Sequence, residues 1–394
     1  MVTHVHRSAA LLGLLLLAAP PARAASDPAA NGPFTAGKQT ISIPATQGSV
    51  LATDVHFPAG SAGGVDPAAG RCPVIVFGHG FSRSKSQYVN VGSHLAPRGF
   101  ITIVPNFSGS DHGRNADDLI AMIDWILARD ADPASIFYGR VDPGAIGSSG
   151  HSAGGLSAIV AASRDARIRA VAPRDPVDSA GLGVGALADV HVPVAITYSE
   201  DSSCNASGSA RTLYAAASAP KRGIKIVGAT HCDPEDPTDF LCTLVCGSAN
   251  SARQTLYRRY ATGWFEYYLR CDAAYEPWVY GAQVQSDVAA GRITYDAAPI
   301  PPAPLPCGPP SPPAAVTGLV ASRNLDELTL TWDPIIAAPP VTAYRIYRSA
   351  SPDFVDPVMA GEAPGASFTE PLAASPSPAY FKVSAVNAGG EGPR

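Results

Sequence analysis

The chain has 394 residues, 46% of them hydrophobic and 15% charged, with a formal net charge of −5. This is enough apolar material for one large core and a second small one. The negative balance without any basic cluster excludes nucleic acid as the expected partner, and the scarcity of Lys (five of 28 basic residues) reads as compositional bias.

The first element is a targeting signal. His4, His6 and Arg7 precede the apolar run Ala9–Ala19, and Ala22-Arg23-Ala24 supplies a small-residue cleavage site, so residues 1–24 read as a signal peptide. The apolar run is too short for a membrane anchor, and no later segment is long enough to cross a bilayer. A secreted or periplasmic protein is expected, with no membrane span. Export makes disulfides plausible. The seven Cys are an odd number, so at least one thiol lacks a partner within the chain, and Cys72, at the start of a buried strand, is the candidate.

Residues 25–297 follow as an alternation of strands and helices. Lys38–His56 alternates polar and apolar residues around Gly48 and predicts a hairpin. Pro73–Gly78 and Phe100–Pro105 are continuous apolar runs, the texture of strands buried on both faces. Asp111–Arg129 carries a helical stripe through Leu119, Ile120, Ile123, Ile126 and Leu127. Val141–Gly150 reads as a short buried strand and Ala153–Ser163 as a helix; Ile168–Ala172, Val192–Tyr198 and Gly223–Val227 are further strands. The fold class is α/β, a mostly parallel sheet with helices on both faces. Ala298–Pro313 holds nine Pro in sixteen residues and predicts a stiff linker. Beyond it, residues 314–394 contain short alternating strands at Leu319–Ser322, Glu327–Trp332, Thr342–Tyr347 and Ala379–Val386, the pattern of a small β-sandwich.

Between the predicted strand and helix, Gly150-His151-Ser152-Ala153-Gly154 spells G-x-S-x-G. In that context the glycines permit a sharp turn that lifts the Ser152 hydroxyl clear of the sheet at a helix N-terminus, making it a nucleophile. Hydrolases of this type place an acid and then a His later in the chain, at carboxyl ends of strands. Of the two His after Ser152, His191 precedes a strand and sits at the wrong end, whereas His231 follows one. His231 is therefore the expected base. Asp175 and Asp201 each follow a strand, and position alone leaves both open as the acid.

The elbow through Gly155, the Asp175-Pro176-Val177-Asp178 element, the His231-Cys232-Asp233 turn and the pair Cys242 and Cys246 resemble chlorophyllase-type α/β-hydrolases. In those proteins and in platelet-activating-factor acetylhydrolases the acid follows the strand after the elbow, which implies Asp175. The chain is also similar to poly(ethylene terephthalate) hydrolases and cutinase-like enzymes, whose acid follows the next strand, which implies Asp201. The resemblance covers Gly32–Gly281, and Asp175 is the favoured acid. His79-Gly80-Phe81 is similar to the H-G-aromatic oxyanion element, which implies the N–H groups of Phe81 and Ala153 as oxyanion donors, with His79, Gly80 and His151 against substrate. Cys204 and Cys232 are expected to pair: neighbouring strands bring their loops together, and some polyester hydrolases carry a bridge in this region. Trp332, the strand Ala343–Arg348 and the stretch from Tyr380 to Gly390 resemble a fibronectin type III module, which implies contact with a surface or matrix.

The acids Asp233, Glu235, Asp236 and Asp239 are expected to cap the following helix rather than hold a metal, and His112 and Arg114 lie near the cleft. The expected function is a secreted serine carboxylic-ester hydrolase without cofactor. Polyester hydrolysis is the alternative, against which stand the lack of an aromatic residue at Asp175–Val177 and of Met at Ala153. With no lid-like apolar insertion apparent, small or medium soluble esters are the expected substrates. A non-catalytic extracellular binding protein on the same scaffold is the reading from another class.

Overall fold

The computed structural model describes residues 25–298, apart from Ala219, and residues 313–394, apart from 336–340, 372–377 and 388–389. Residues 1–24, read as a signal peptide, nearly all of the residues read as a Pro-rich linker, and residues 388–389 lie outside the described residues.

The first hairpin is β1 (Thr35–Pro44) and β2 (Val50–Ala59). There follow β3 (Cys72–Gly78), α1 (Val89–Leu95), β4 (Ile101–Pro105), α2 (His112–Ala131), β5 (Val141–His151), α3 (Ala153–Arg164) and β6 (Ile168–Arg174). Next come α4 (Leu182–Ala186), β7 (Val194–Tyr198), α5 (Ala210–Ala216) and β8 (Lys221–Ile226). The large unit ends with α6 (Phe240–Cys246), α7 (Ser251–Tyr268), α8 (Glu276–Val279), α9 (Ala282–Ala289) and β9 (Ile293–Ala298). These strands form one nine-stranded sheet in the order β1-β2-β4-β3-β5-β6-β7-β8-β9. The ladders from β4 through β8 are parallel, and β1, β2 and β9 add antiparallel edges.

The sheet is covered on both faces, and its inner strands carry apolar residues on both sides. In β3, Val74 and Val76 pack with α2 and α3 on one face, while Ile75 and Phe77 point to the other, against Phe100 and the α7 residues Trp264 and Phe265. The small residues of β5 have a packing cause: a Cβ on Gly147 would lie 2.8 Å from the Phe265 ring. The hydroxyls of Ser148 and Ser149, buried in the same strand, donate to the carbonyls of Ala158 and Ala172 at 3.0 and 2.6 Å.

Among the predicted elements, α2 begins where the Asp111 side chain accepts a hydrogen bond from the Arg114 N–H at 2.7 Å. Strand β6 runs two residues further than its apolar run suggests, which leaves Asp175 immediately past its carboxyl end. The edge strand β9 was not anticipated. It pairs with β8 on one side only, so ITYDAA carries polar residues without the signature of a buried strand.

The C-terminal residues form two antiparallel sheets. One has β10 (Val320–Arg323), β11 (Glu327–Thr331) and β14 (Ser367–Pro371); the other has β13 (Val358–Ala363), β12 (Ala343–Ser349), β15 (Tyr380–Asn387) and β16 (Gly390–Glu391). Both contribute to one small core containing Leu330, Trp332, Tyr344, Ile346 and Val383. Strands β13 and β14 were not predicted. Burial and polarity do not alternate together in them: Val358 and Met359 are exposed, while Glu370 is buried.

No helix among the described residues is long and apolar enough to cross a membrane.

Candidate active site

Ser152 sits between β5 and α3 with φ 55° and ψ −122°, a conformation that L-residues rarely adopt. It is held there by close backbone approach. A Cβ on Gly150 would come within 2.4 Å of the Gly154 carbonyl oxygen, and one on Gly154 within 2.2 Å of the Gly78 backbone. Side chains at these positions would push the elbow off the end of β3. The Ser152 N–H donates to the Arg174 carbonyl at 3.2 Å, which ties the turn to the end of β6.

Three side chains from separate strand ends meet at this point. His231 Nε2 lies 2.9 Å from Ser152 Oγ, and His231 Nδ1 lies 2.6 Å from Asp175 Oδ2. The arrangement fixes the tautomer: Nδ1–H donates to the carboxylate and Nε2 accepts the Ser152 proton. Asp175 is fully buried and, like Ser152, has a positive φ, 45°. Its carboxylate also accepts the Ser199 N–H at 3.1 Å and the Ser199 hydroxyl at 2.6 Å. Asn205 Nδ2 in turn donates to the Ser199 hydroxyl at 3.0 Å.

Asp201 is elsewhere. It forms a half-exposed ion pair with Arg211, whose guanidinium hydrogen-bonds it and holds its carboxyl below the usual carboxylate range. Just past the end of β7, Ser199 bonds to Asp175, while Asp201, two residues further on, lies in the solvent-facing loop against Arg211.

Phe81 and Ala153 line one cavity of about 240 Å³ together with His79, Gly80, His112 and Asn115. Ala153 is the first residue of α3, where backbone N–H groups have no intrahelical acceptor. The loop carrying Phe81 is fixed on both sides. His79 Nδ1–H donates to the Gly80 carbonyl at 2.8 Å, and its Nε2 accepts the Phe107 N–H at 2.9 Å. The Gly80 N–H donates to the Tyr88 hydroxyl at 3.1 Å, and that hydroxyl lies 2.8 Å from His151 Nδ1. His151 is therefore buried in a supporting network, with its ring 4.6 Å from that of His231. Burial, and then the neighbouring His231, push its pKa well below the ordinary value, so it stays neutral beside the imidazole that bonds Ser152. Arg114 is not a wall of the cavity; its backbone N–H is the group that Asp111 caps.

The acids after His231 have structural partners. Asp239 caps α6 through the Cys242 N–H at 2.9 Å, as the helix-capping expectation required. Asp233 instead accepts the Thr230 and Asn250 N–H groups, both at 2.7 Å, and pairs with Arg253. Glu235 pairs with Arg83 at 2.8 Å, and Asp236 pairs with Arg258.

One expectation is corrected here. Cys204 and Cys232 do not pair with each other: Cys204 is bonded to Cys246 and Cys232 to Cys242, and Cys72 is a buried free thiol. Both loops instead bond to the ends of α6, which lies between them. The short helix α6 carries an apolar face that the fold does not bury. In α6, Phe240, Leu241, Leu244 and Val245 are all exposed. The segment has seven residues, too few for its helical periodicity to be read from the sequence.

The site residues that composition and spacing do not mark are Tyr88, Ser199 and Asn205. Each acts through a single hydroxyl or amide bonded to a residue distant in the chain, a relationship without a local signature.

The family model for PET hydrolase-like proteins matches residues 17–292. The chain is 29% identical over 211 residues to a bis(hydroxyethyl) terephthalate hydrolase of Streptomyces coelicolor, an alignment covering 48% of this chain and 64% of that protein. It is 27% identical over 214 residues to Lipase 1 of a Moraxella strain, covering 54% of this chain and 62% of that protein. The chain thus spans less than two thirds of the length of either relative. With the family match covering more than half of the chain, from ahead of β1 to the end of α9, the chain belongs to the PET hydrolase-like family.

Proposed function

We propose that this protein is a secreted serine ester hydrolase with Ser152 as nucleophile, His231 as general base and Asp175 as the acid that orients it. The observation that carries this reading is the hydrogen-bonded chain from Ser152 Oγ through His231 to Asp175, at 2.9 and 2.6 Å. His231 Nε2 takes the Ser152 proton as Oγ attacks the ester carbonyl, and the tetrahedral oxyanion forms against the N–H groups of Ala153 and Phe81. The imidazolium, stabilised by the Asp175 carboxylate, then protonates the departing alcohol and leaves an acyl-Ser152 ester. Water, deprotonated by His231, releases the carboxylic acid and restores the hydroxyl. The positive φ at Ser152 and the buried bonds at Ser199 set this geometry before substrate arrives.

Family membership and the name of the Streptomyces relative favour esters of the terephthalate type, soluble or polymeric, as the substrate class. The polar side of the cavity, with His112 and Asn115, suits an ester arm that ends in a hydroxyl. The two C-terminal sheets are read as a fibronectin type III-like module that contacts a surface or matrix. The competing reading, a non-catalytic binding protein, leaves the Ser152–His231 bond without a purpose.

A fluorophosphonate probe and a soluble aryl ester test the proposal together. The wild type should label and turn over. Ser152→Ala should do neither while keeping its fold. Turnover by the folded Ser152→Ala protein would sink the mechanism, and an unlabelled, inactive wild type would favour the binding-protein reading.

A further inference from the structure

We infer that the outward face of α6 is a docking surface for a solid, uncharged ester polymer, placed to deliver chain segments to Ser152. The inference rests on the ester-hydrolase reading and adds where the substrate phase is held.

Helix α6 places its large apolar side chains in solvent. Phe240, Leu241, Leu244 and Val245 are 78, 57, 69 and 65% exposed, whereas Cys242 on the inner side is buried. The spacing i, i+1, i+4, i+5 puts the four on one helical face. A seven-residue helix is too short to persist by itself, and this one contributes little apolar surface to the core. Its attachment is covalent instead: Cys242 is bonded to Cys232 and Cys246 to Cys204. Two bridges thus hold in place an apolar face that the fold does not bury, and such patches mark interaction sites.

The position of the helix argues for substrate. Cys232 directly follows His231. At the other end, Asp239, the residue before α6, pairs with Arg83 at 2.9 Å, two residues beyond Phe81. Phe81 is itself 66% exposed and lines the cavity with Ala153. The apolar face is therefore tied at both sides to the residues around Ser152.

Shape and charge select the occupant. Small molecules bind in concave sites, whereas α6 presents a convex row of side chains that suits an extended flat surface. Residues 237–250 contain neither Lys nor Arg, the charges by which interfacial helices hold anionic lipid. A second copy of the chain is a poor fit as well, since stable dimers bury about 800 Å² per partner over some 20–30 residues, far more than four side chains supply.

The test uses the full chain and the double variant Phe240→Ser/Leu244→Ser, neither residue being part of the Ser152 machinery. Adsorption to a polyester film and hydrolysis of that film are compared with turnover of soluble p-nitrophenyl acetate. The double variant should bind the film about tenfold more weakly, equivalent to about 1.4 kcal/mol, and hydrolyse it correspondingly more slowly at low enzyme. Its soluble turnover should stay within about twofold of wild type, which also shows that it is folded. Unchanged film binding with intact soluble turnover overturns the docking surface and leaves the ester-hydrolase reading standing. Absence of soluble turnover in the wild type overturns both. Loss of a dimer on substitution, seen by light scattering, or wild-type binding to phosphatidylglycerol vesicles but not to film, assigns α6 another occupant and overturns the inference.

Discussion

The Asp175 carboxylate and the His231 imidazole are joined by a 2.6 Å hydrogen bond across the ends of β6 and β8, with the β7 loop supplying Ser199 beneath them. The other acid at a strand end, Asp201, spends its charge on Arg211 at the surface. The two carboxylates therefore separate cleanly by mutation. Asp175→Asn should lower kcat on a soluble ester by on the order of 10³–10⁴-fold, because an amide neither holds the Nδ1–H tautomer nor balances the imidazolium. Asp201→Asn removes a half-exposed ion pair worth about 0–1 kcal/mol and should leave kcat nearly unchanged. Steady-state kinetics on both folded variants decide the matter; a larger loss at Asp201 reverses the assignment.

Much of this arrangement is legible in the sequence where local chemistry and position coincide. Gly150 and Gly154 flank Ser152 because the turn has no room for side chains, and a strand and a helix can be read on either side of it. Asp175 against Asp201 is not decided by position, since both follow strands. What separates them is the partner each meets, His231 for Asp175 and Arg211 for Asp201, and the contact with His231 joins strand ends far apart in the chain. The disulfides fail for a different reason. Pairing by adjacent strand ends ignores α6, a short segment that enters between the two loops and takes up both cysteines. Its apolar face reads as core in a sequence, although it lies outside.

Tyr88 should behave as a positioning residue for the loop that carries Phe81. It is fully buried, and its hydroxyl joins the Gly80 N–H to His151 Nδ1. Tyr88→Phe leaves that N–H without its acceptor, at a cost of about 1–3 kcal/mol. If the loop sets the oxyanion donors, kcat should fall about tenfold or more while KM changes little, because the oxyanion exists only in the transition state. A drop in urea midpoint with unchanged kcat would show that the hydroxyl serves stability alone.

Peptide mapping without reduction should recover Cys204 joined to Cys246 and Cys232 joined to Cys242. In the chain-entropy picture, closing loops of 42 and 10 residues stabilises the fold by about 4 and about 3 kcal/mol. Cys72 should resist thiol reagents until the protein unfolds, since burial raises its pKa to about 11 and so suppresses the thiolate. Rapid labelling of Cys72 under native conditions, or a recovered Cys204–Cys232 peptide, would contradict this picture.

Acid sensitivity should come from four histidines buried in the neutral form. Burial lowers His56 to about 4 and His94 to about 3, and it also lowers His79 and His151. The unfolded chain takes up these protons near pH 6.5, whereas the native state refuses them until much lower pH. The unfolded state thus binds more protons below pH 6.5, and stability falls as pH drops through that value. Each histidine contributes a slope of up to about 1.36 kcal/mol per pH unit between its two pKa values. Asp27 and Asp54, held low by their Arg259 and Lys85 partners against the cost of burial, add the same sign at still lower pH. Glu235 and Glu266, raised by burial, oppose it. The four histidines outnumber these two glutamates, so urea midpoints should fall between pH 7 and pH 5. A midpoint that holds constant or rises over that interval would show that these imidazoles accept protons in the native state.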